Sequence, residues 1–145
     1  MTVGKLCARN VATGTRSTTV LEAAKQMRHR HVGDLVVVEG NAPVGVVTDR
    51  DIVISVVATG LDPAVFTLGD LLLKDAITCT EDLDATACLQ QMRTHAIRRM
   101  PVVDKNGILV GIITVDDLLR MLAGELGEVA KLIEREQVVE MKTRV

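Results

Sequence analysis

The chain reads as an α/β protein of the α+β kind: two pseudo-symmetric repeats, each a small three-stranded sheet with two helices, packed sheet to sheet. Two observations carry this reading. A pattern of about 65 residues occurs twice, and inside each copy short β-branched apolar runs alternate with helical spacing.

The repeat shows in Gly45-Val46-Val47-Thr48-Asp49-Arg50-Asp51-Ile52, which recurs as Gly111-Ile112-Ile113-Thr114-Val115-Asp116-Asp117-Leu118 at an offset of 66. Gln26-Met27-Arg28 recurs as Gln91-Met92-Arg93, and Ala12-Thr13 as Ile77-Thr78, both at an offset of 65. The one-residue slip falls where Glu39-Gly40-Asn41 faces Asp104-Lys105-Asn106-Gly107, a turn, where insertion costs least. Repeat one spans about residues 3–62 and repeat two about 66–122, followed by a helical extension over about 123–142. Neither copy can cover both faces of its sheet alone, so the 145 residues form one module.

Each copy opens with a short strand, near 11–13 and 76–78. Apolar residues at 20, 23, 24 and 27, and at 85, 88, 89 and 92, then mark one face of a helix. Thr19 with Glu22 forms a capping box, and Asp84 takes the matching N-cap position. The runs 35–38, 44–47, 100–103 and 109–113 are β-branched without alternation, as strands covered on both faces are. A second helix starts at Asp49 and at Val115. In the latter, Val115, Leu119, Leu122, Leu126, Val129 and Ile133 alternate steps of four and three. That seam predicts a helix to about residue 142, about 42 Å long at ~1.5 Å per residue, across Gly124 and Gly127. Two roles are open to it: a core helix with a frayed polar end, or a helix reaching a partner subunit.

Composition narrows the function. A net charge of −2 supplies no positive field for nucleic acid or an acidic membrane. Phe66 is the only aromatic residue, which removes base-stacking platforms, so a bound base must lie between aliphatic walls and backbone groups. No apolar run nears the ~18 residues of a membrane span, and the first ten residues lack the apolar stretch of a signal peptide. Cys7, Cys79 and Cys88 are odd in number without a C-x-x-C spacing, as reduced thiols of a cytoplasmic protein would be.

The duplicated Gly-apolar-apolar-Thr-x-x-Asp pattern has two readings. Thr-x-x-acid is a capping box, open to any helix. Yet it occurs twice at matched positions, with glycine three residues before Thr and Asp as the acid both times. Gly45 and Gly111 admit close backbone approach, a helix start suits phosphate, the Thr hydroxyl donates, and Asp accepts from a vicinal diol. The second reading is a phosphate–ribose grip.

On these residues, on the strands at 11–13 and 76–78, and on Met100-Pro101-Val102-Val103-Asp104, the sequence resembles the cystathionine β-synthase (CBS) domain family. The tandem resembles a Bateman module over about residues 3–122. The resemblance implies two clefts between the paired sheets. Thr48 and Thr114 would contact phosphate or sugar, Asp51 and Asp117 would hold ribose hydroxyls, and the backbone around Ala12-Thr13 and Ile77-Thr78 would read the adenine edge. Arg50, Arg98, Arg99, Met100 and Pro101 complete the expected binding set. The implied ligand is an adenosine-containing nucleotide (AMP, ADP, ATP, an NAD-type dinucleotide or S-adenosylmethionine), acting as regulator and not as required cofactor. Homodimerisation and a separate effector protein are implied as well.

The copies differ where Arg98-Arg99-Met100-Pro101 leads into its strand but Val32-Gly33-Asp34-Leu35 stands in the first copy. A guanidinium attracts phosphate and a carboxylate repels it, so the expectation is a second-repeat cleft that prefers di- or triphosphates and a first that does not. The basic residues at 28–31 and at 93, 95, 98 and 99 suit helix C-termini, or else turn toward phosphate. His29-x-His31 lacks an acidic or Cys ligand, so no metal site is expected. No Cys-His or Ser-His-Asp spacing supports an enzyme. The sequence therefore predicts a non-catalytic nucleotide-binding regulatory module, with a dimerisation scaffold bearing vestigial clefts as the alternative.

Overall fold

The computed structural model describes residues 1–144. The first half contributes α1 (Val3–Leu6), β1 (Thr13–Gly14), α2 (Val20–Arg30), β2 (Asp34–Glu39), β3 (Ala42–Thr48) and α3 (Asp49–Ile52), which runs on as a π-helical turn over Val53–Val57. The second contributes α4 (Leu68–Leu71), β4 (Cys79–Thr80), α5 (Ala85–His95), β5 (Arg99–Val103), β6 (Leu109–Thr114) and α6 (Val115–Thr143). The sheets are β1-β2-β3 and β4-β5-β6; in each, the first pair is parallel and the second antiparallel. The architecture is the expected α+β pair of three-stranded sheets.

Strand register locates the slip between the copies. Val37 faces Gly45 and Val102 faces Gly111, so the offset is 65 on β2 and 66 on β3. The extra residue lies in the second hairpin turn, where the Asp104 carboxylate accepts from the N–H of Asn106 (2.8 Å) and of Ile108 (3.0 Å). The leading strands are shorter and later than the sequence suggested. Ala12 gives only its carbonyl, to the N–H of Val36, and the N–H of Ala76 donates to the Val44 carbonyl of the other repeat.

Side-chain alternation along the strands sorts the burial. Leu35 and Val37 face α2 in one core; Met100 and Val102 face α5 in the other. Val36, Pro101 and Ile112, on the opposite faces, are also buried, which is the surface along which the two sheets meet.

The short leading helices cross over. Leu68 of α4 completes the first core and Val3 of α1 the second. Matched hydrogen bonds fix them: Gly69 N–H to the Arg16 carbonyl (3.0 Å) and Gly4 N–H to the Glu81 carbonyl (2.8 Å), then Val20 N–H to Phe66 (2.9 Å) and Ala85 N–H to Met1 (2.9 Å). The sequence holds a signal for this pairing, Thr2-x-Gly4-x-Leu6 against Thr67-x-Gly69-x-Leu71, which periodicity alone does not pick out.

The last helix runs 29 residues, as its seam predicts. Leu118 is buried against the body, whereas Leu119, Leu126 and Ile133 are 63%, 70% and 52% exposed, so the stripe stands uncovered. Among the described residues, no helix is long and apolar enough to cross a membrane.

Candidate functional site

Thr48 ends β3 in extended conformation and caps α3, and Thr114 does the same between β6 and α6. Both capping boxes form. Asp51 N–H donates to Thr48 Oγ1 (3.2 Å) while Asp51 Oδ2 accepts from Thr48 N–H (2.8 Å). In the first repeat this leaves the Thr48 hydroxyl proton and Asp51 Oδ1 without partners among the described residues. The second repeat is saturated: Thr114 Oγ1 also donates to Asp117 Oδ2 (3.0 Å), and Arg120 Nη1 pairs with Asp117 Oδ1 (3.2 Å). Position 54, the counterpart of Arg120, is Ile. The motif is thus a helix cap in both copies, with bonding capacity to spare only in the first.

That spare capacity opens onto a cavity of about 350 Å³. Thr48, Arg50 and Asp51 line it from the first repeat; Ile77, Arg98 and Arg99 line it from the second. Sequence reasoning missed Lys74, Asp75 and Ile97, which also line it, although Lys74-Asp75 stands 65 residues after Arg9-Asn10 in the repeat alignment. The other expected residues lie elsewhere. Ala12 is buried and Thr13 borders a separate polar cavity of about 470 Å³ beside the hairpin turns. Thr78 is half-buried just before β4, Met100 is wholly inside the second core, and Pro101 is buried between the sheets. Thr114 and Asp117 sit at the matching helix start of the second repeat. The strand-leading segment of the first repeat is tied down, since Arg30 donates to Asn10 Oδ1 (2.8 Å) and reaches the Asn10 and Val11 carbonyls.

Arg98 and Arg99, expected at the second repeat's cleft, line the cavity beside the first repeat's motif. Arg99 is in register with Thr114, but its guanidinium lines the Thr48 cavity and meets Asp34, which is in register with Thr48. The Arg99–Asp34 distance is 2.5 Å. The base that one repeat supplies therefore lies beside the motif of the other.

The two motif glycines are approached by the chain itself. A Cβ at Gly45 would collide with the Leu72 side chain; one at Gly111 would lie 2.8 Å from Cys7 Sγ and 2.9 Å from the Ala8 carbonyl. Ala8 is there because it exchanges both backbone bonds with Ile112, extending the second sheet.

The basic cluster at the end of α2 and the three thiols fall outside the cavity. Arg28, His29 and His31 line a shallow outer depression with Lys25. Among the described residues no three His, Cys, Asp or Glu side chains converge to hold a metal. Cys79 and Cys88 are free and buried in the second core. The Cys79 thiol, hydrogen bonded to Cys88 and desolvated, is pushed well above its ordinary range, and burial likewise raises Cys7. A thiol held protonated is a poor nucleophile.

The fold joins two repeats, crossing helices and a cleft lined from both repeats, and the CBS domain family model matches residues 3–58 and 68–124. The chain belongs to the CBS domain family. An uncharacterised protein of Methanopyrus kandleri is 38% identical over 122 residues, covering 83% of this chain and 62% of that protein. The chain thus spans less than two thirds of that relative's length. Among solved structures, the hypoxic response protein described with two coordinated zinc ions superposes with a TM-score of 0.74 at 32% identity, covering 83% of this chain and 98% of that one. Hypoxic response protein 1 of Mycobacterium tuberculosis is 39% identical over 109 residues, covering 72% of this chain and 73% of that protein. The CBS domain pair of protein MJ0100, in complex with 5′-methylthioadenosine and S-adenosyl-L-methionine, gives a TM-score of 0.77 at 25% identity, covering 86% of this chain and 98% of that one.

Proposed function

We propose that this CBS pair is a non-catalytic, cytoplasmic regulatory module that binds an adenosine-containing nucleotide in the Thr48–Asp51 cleft and signals its ligand state to a separate effector protein. The single observation behind this is the cavity itself. Its about 350 Å³ falls within the ~300–1,000 Å³ of small-molecule sites. Asp51 Oδ1 offers an acceptor to a ribose diol and the Thr48 hydroxyl a donor. Ile77 and Ile97 give the base aliphatic walls, and Arg50 and Arg98 give phosphate its cations. The methylthioadenosine and S-adenosylmethionine complex of the MJ0100 pair supports adenosine as the common ligand element.

Calorimetric titration with adenosine, AMP and ATP tests the reading. One site per chain is expected. Asp51→Ala should cost ~1–3 kcal/mol, because a ribose hydroxyl is left unpaired, whereas Asp117→Ala should leave affinity unchanged. Absence of binding by all three ligands sinks the proposal.

Self-association is favoured by a separate observation. Val53 of the first repeat and Leu119 of the second are exposed at matched places on the second helices, with Ile54, Val57 and Leu122 exposed beside them. We propose that these faces form a homodimer, with neither nucleic acid nor membrane as partner.

A further inference from the structure

We propose that Asp34 is a built-in competitor for the Arg99 guanidinium, so that Arg99 exchanges Asp34 for phosphate when an anionic nucleotide enters the cleft. This rests on the nucleotide reading above and adds how the site distinguishes charged from neutral ligands.

Arg99 is the sheltered cation of the cavity: its side chain is 27% exposed, against 73% for Arg98. Among the described residues its one hydrogen-bonded partner is Asp34 Oδ2, through Nη1 at 2.5 Å. A guanidinium has five N–H donors in a fixed fork, so most of its donor capacity is unspent. Asp34 is 19% exposed, so the pair is neither fully solvated, where it would be worth little, nor sealed off from exchange. A phosphate dianion carries more charge and more acceptors than one carboxylate, and so can win Arg99 from it. Adenosine cannot. Because Asp34 belongs to one repeat and Arg99 to the other, the exchange also removes an ion pair that ties the repeats together. Phosphate binding, and not base binding, is thereby coupled to the relation between the two halves.

The test is calorimetry of adenosine and AMP with the full chain and its variants. Asp34→Asn should tighten AMP binding about tenfold, the equivalent of 1.4 kcal/mol, and leave adenosine unmoved. Arg99→Gln should reduce AMP toward adenosine affinity, and the double variant should lose the Asn gain. The charge swap Asp34→Arg with Arg99→Asp retains the pair while placing a carboxylate on the cleft wall, so it should weaken AMP and spare adenosine even if Asp34→Asn folds poorly. Adenosine binding with AMP indifferent to the charge swap or to Asp34→Asn overturns the exchange alone, as does a gain that survives Arg99→Gln. Failure of adenosine and AMP to bind any variant overturns the nucleotide reading beneath it.

Discussion

Arg99 and Asp34 hold the same position in the two repeats, each one residue before the first core residue of its strand, and they meet at 2.5 Å. Identical copies would set like charges face to face at this point. Divergence of the two copies has made the position self-complementary, with one repeat giving the base and the other the acid.

Removing one member should be worse than removing both. Asp34→Ala strands a sheltered guanidinium and should cost ~1–3 kcal/mol, a fall of several degrees in Tm for a chain of this size. Adding Arg99→Ala should recover part of the loss. A thermal double-mutant cycle reads the coupling directly, and additive effects would show that the pair contributes nothing.

The motif glycines should differ in their tolerance. Gly111→Ala drives a methyl onto the backbone carbonyl of Ala8, which is fixed in the sheet, and should cost ~1–3 kcal/mol. Gly45→Ala meets only the flexible end of Leu72 and should cost less. Denaturant midpoints of the two variants decide the order.

Helices α2 and α5 both end on a residue in the left-handed region that is not glycine: His31 at φ 55° and Ala96 at φ 54°. A Cβ there costs roughly 1–2 kcal/mol, part of which glycine returns as unfolded-chain entropy. Ala96→Gly should therefore stabilise the protein by ~0.5–1 kcal/mol, seen as a rise in Tm.

Asp84 provides a pH-dependent cap. Its carboxylate accepts from Thr86 N–H at 3.0 Å, and that bond holds its pKa below the usual carboxylate value. A lowered folded-state pKa contributes stability present above the unfolded value of 3.8 and lost as pH falls through the folded one. Asp84→Asn keeps an acceptor without this titration, so the Tm difference between wild type and variant should shrink on acidification below about pH 4.

The stripe on α6 should be an interface. Leu119→Glu with Leu126→Glu puts charge onto an exposed apolar face and should yield a monomer with unchanged far-ultraviolet circular dichroism. Sedimentation velocity at tens of micromolar checks this, and a wild type that is already monomeric contradicts it.

Much of this arrangement is legible in the sequence because duplication writes each element twice. The capping boxes at Thr19, Thr48 and Thr114, the four inner strands and the long last helix follow from local spacing. Which repeat's side chains share a cleft is not a local property. Arg99 belongs to the same repeat as the Thr114 motif and pairs with it in register, yet its side chain meets Asp34 of the other repeat, and only the packing of the sheets decides that. The chain's own use of Gly45 and Gly111, and the saturation of Asp117 by Arg120, likewise depend on segments distant in sequence or on rotamers.

The placement of Val3 in the second core and Leu68 in the first makes the tandem a swapped dimer written on one chain. A single repeat cut out of it would carry a helix meant for its neighbour and lack the one that seals itself. Two such halves mixed in solution would be complete only by reciprocal exchange, so neither half has an independent melting point. The protein should accordingly unfold in one transition, and any probe of either sheet should report the same midpoint.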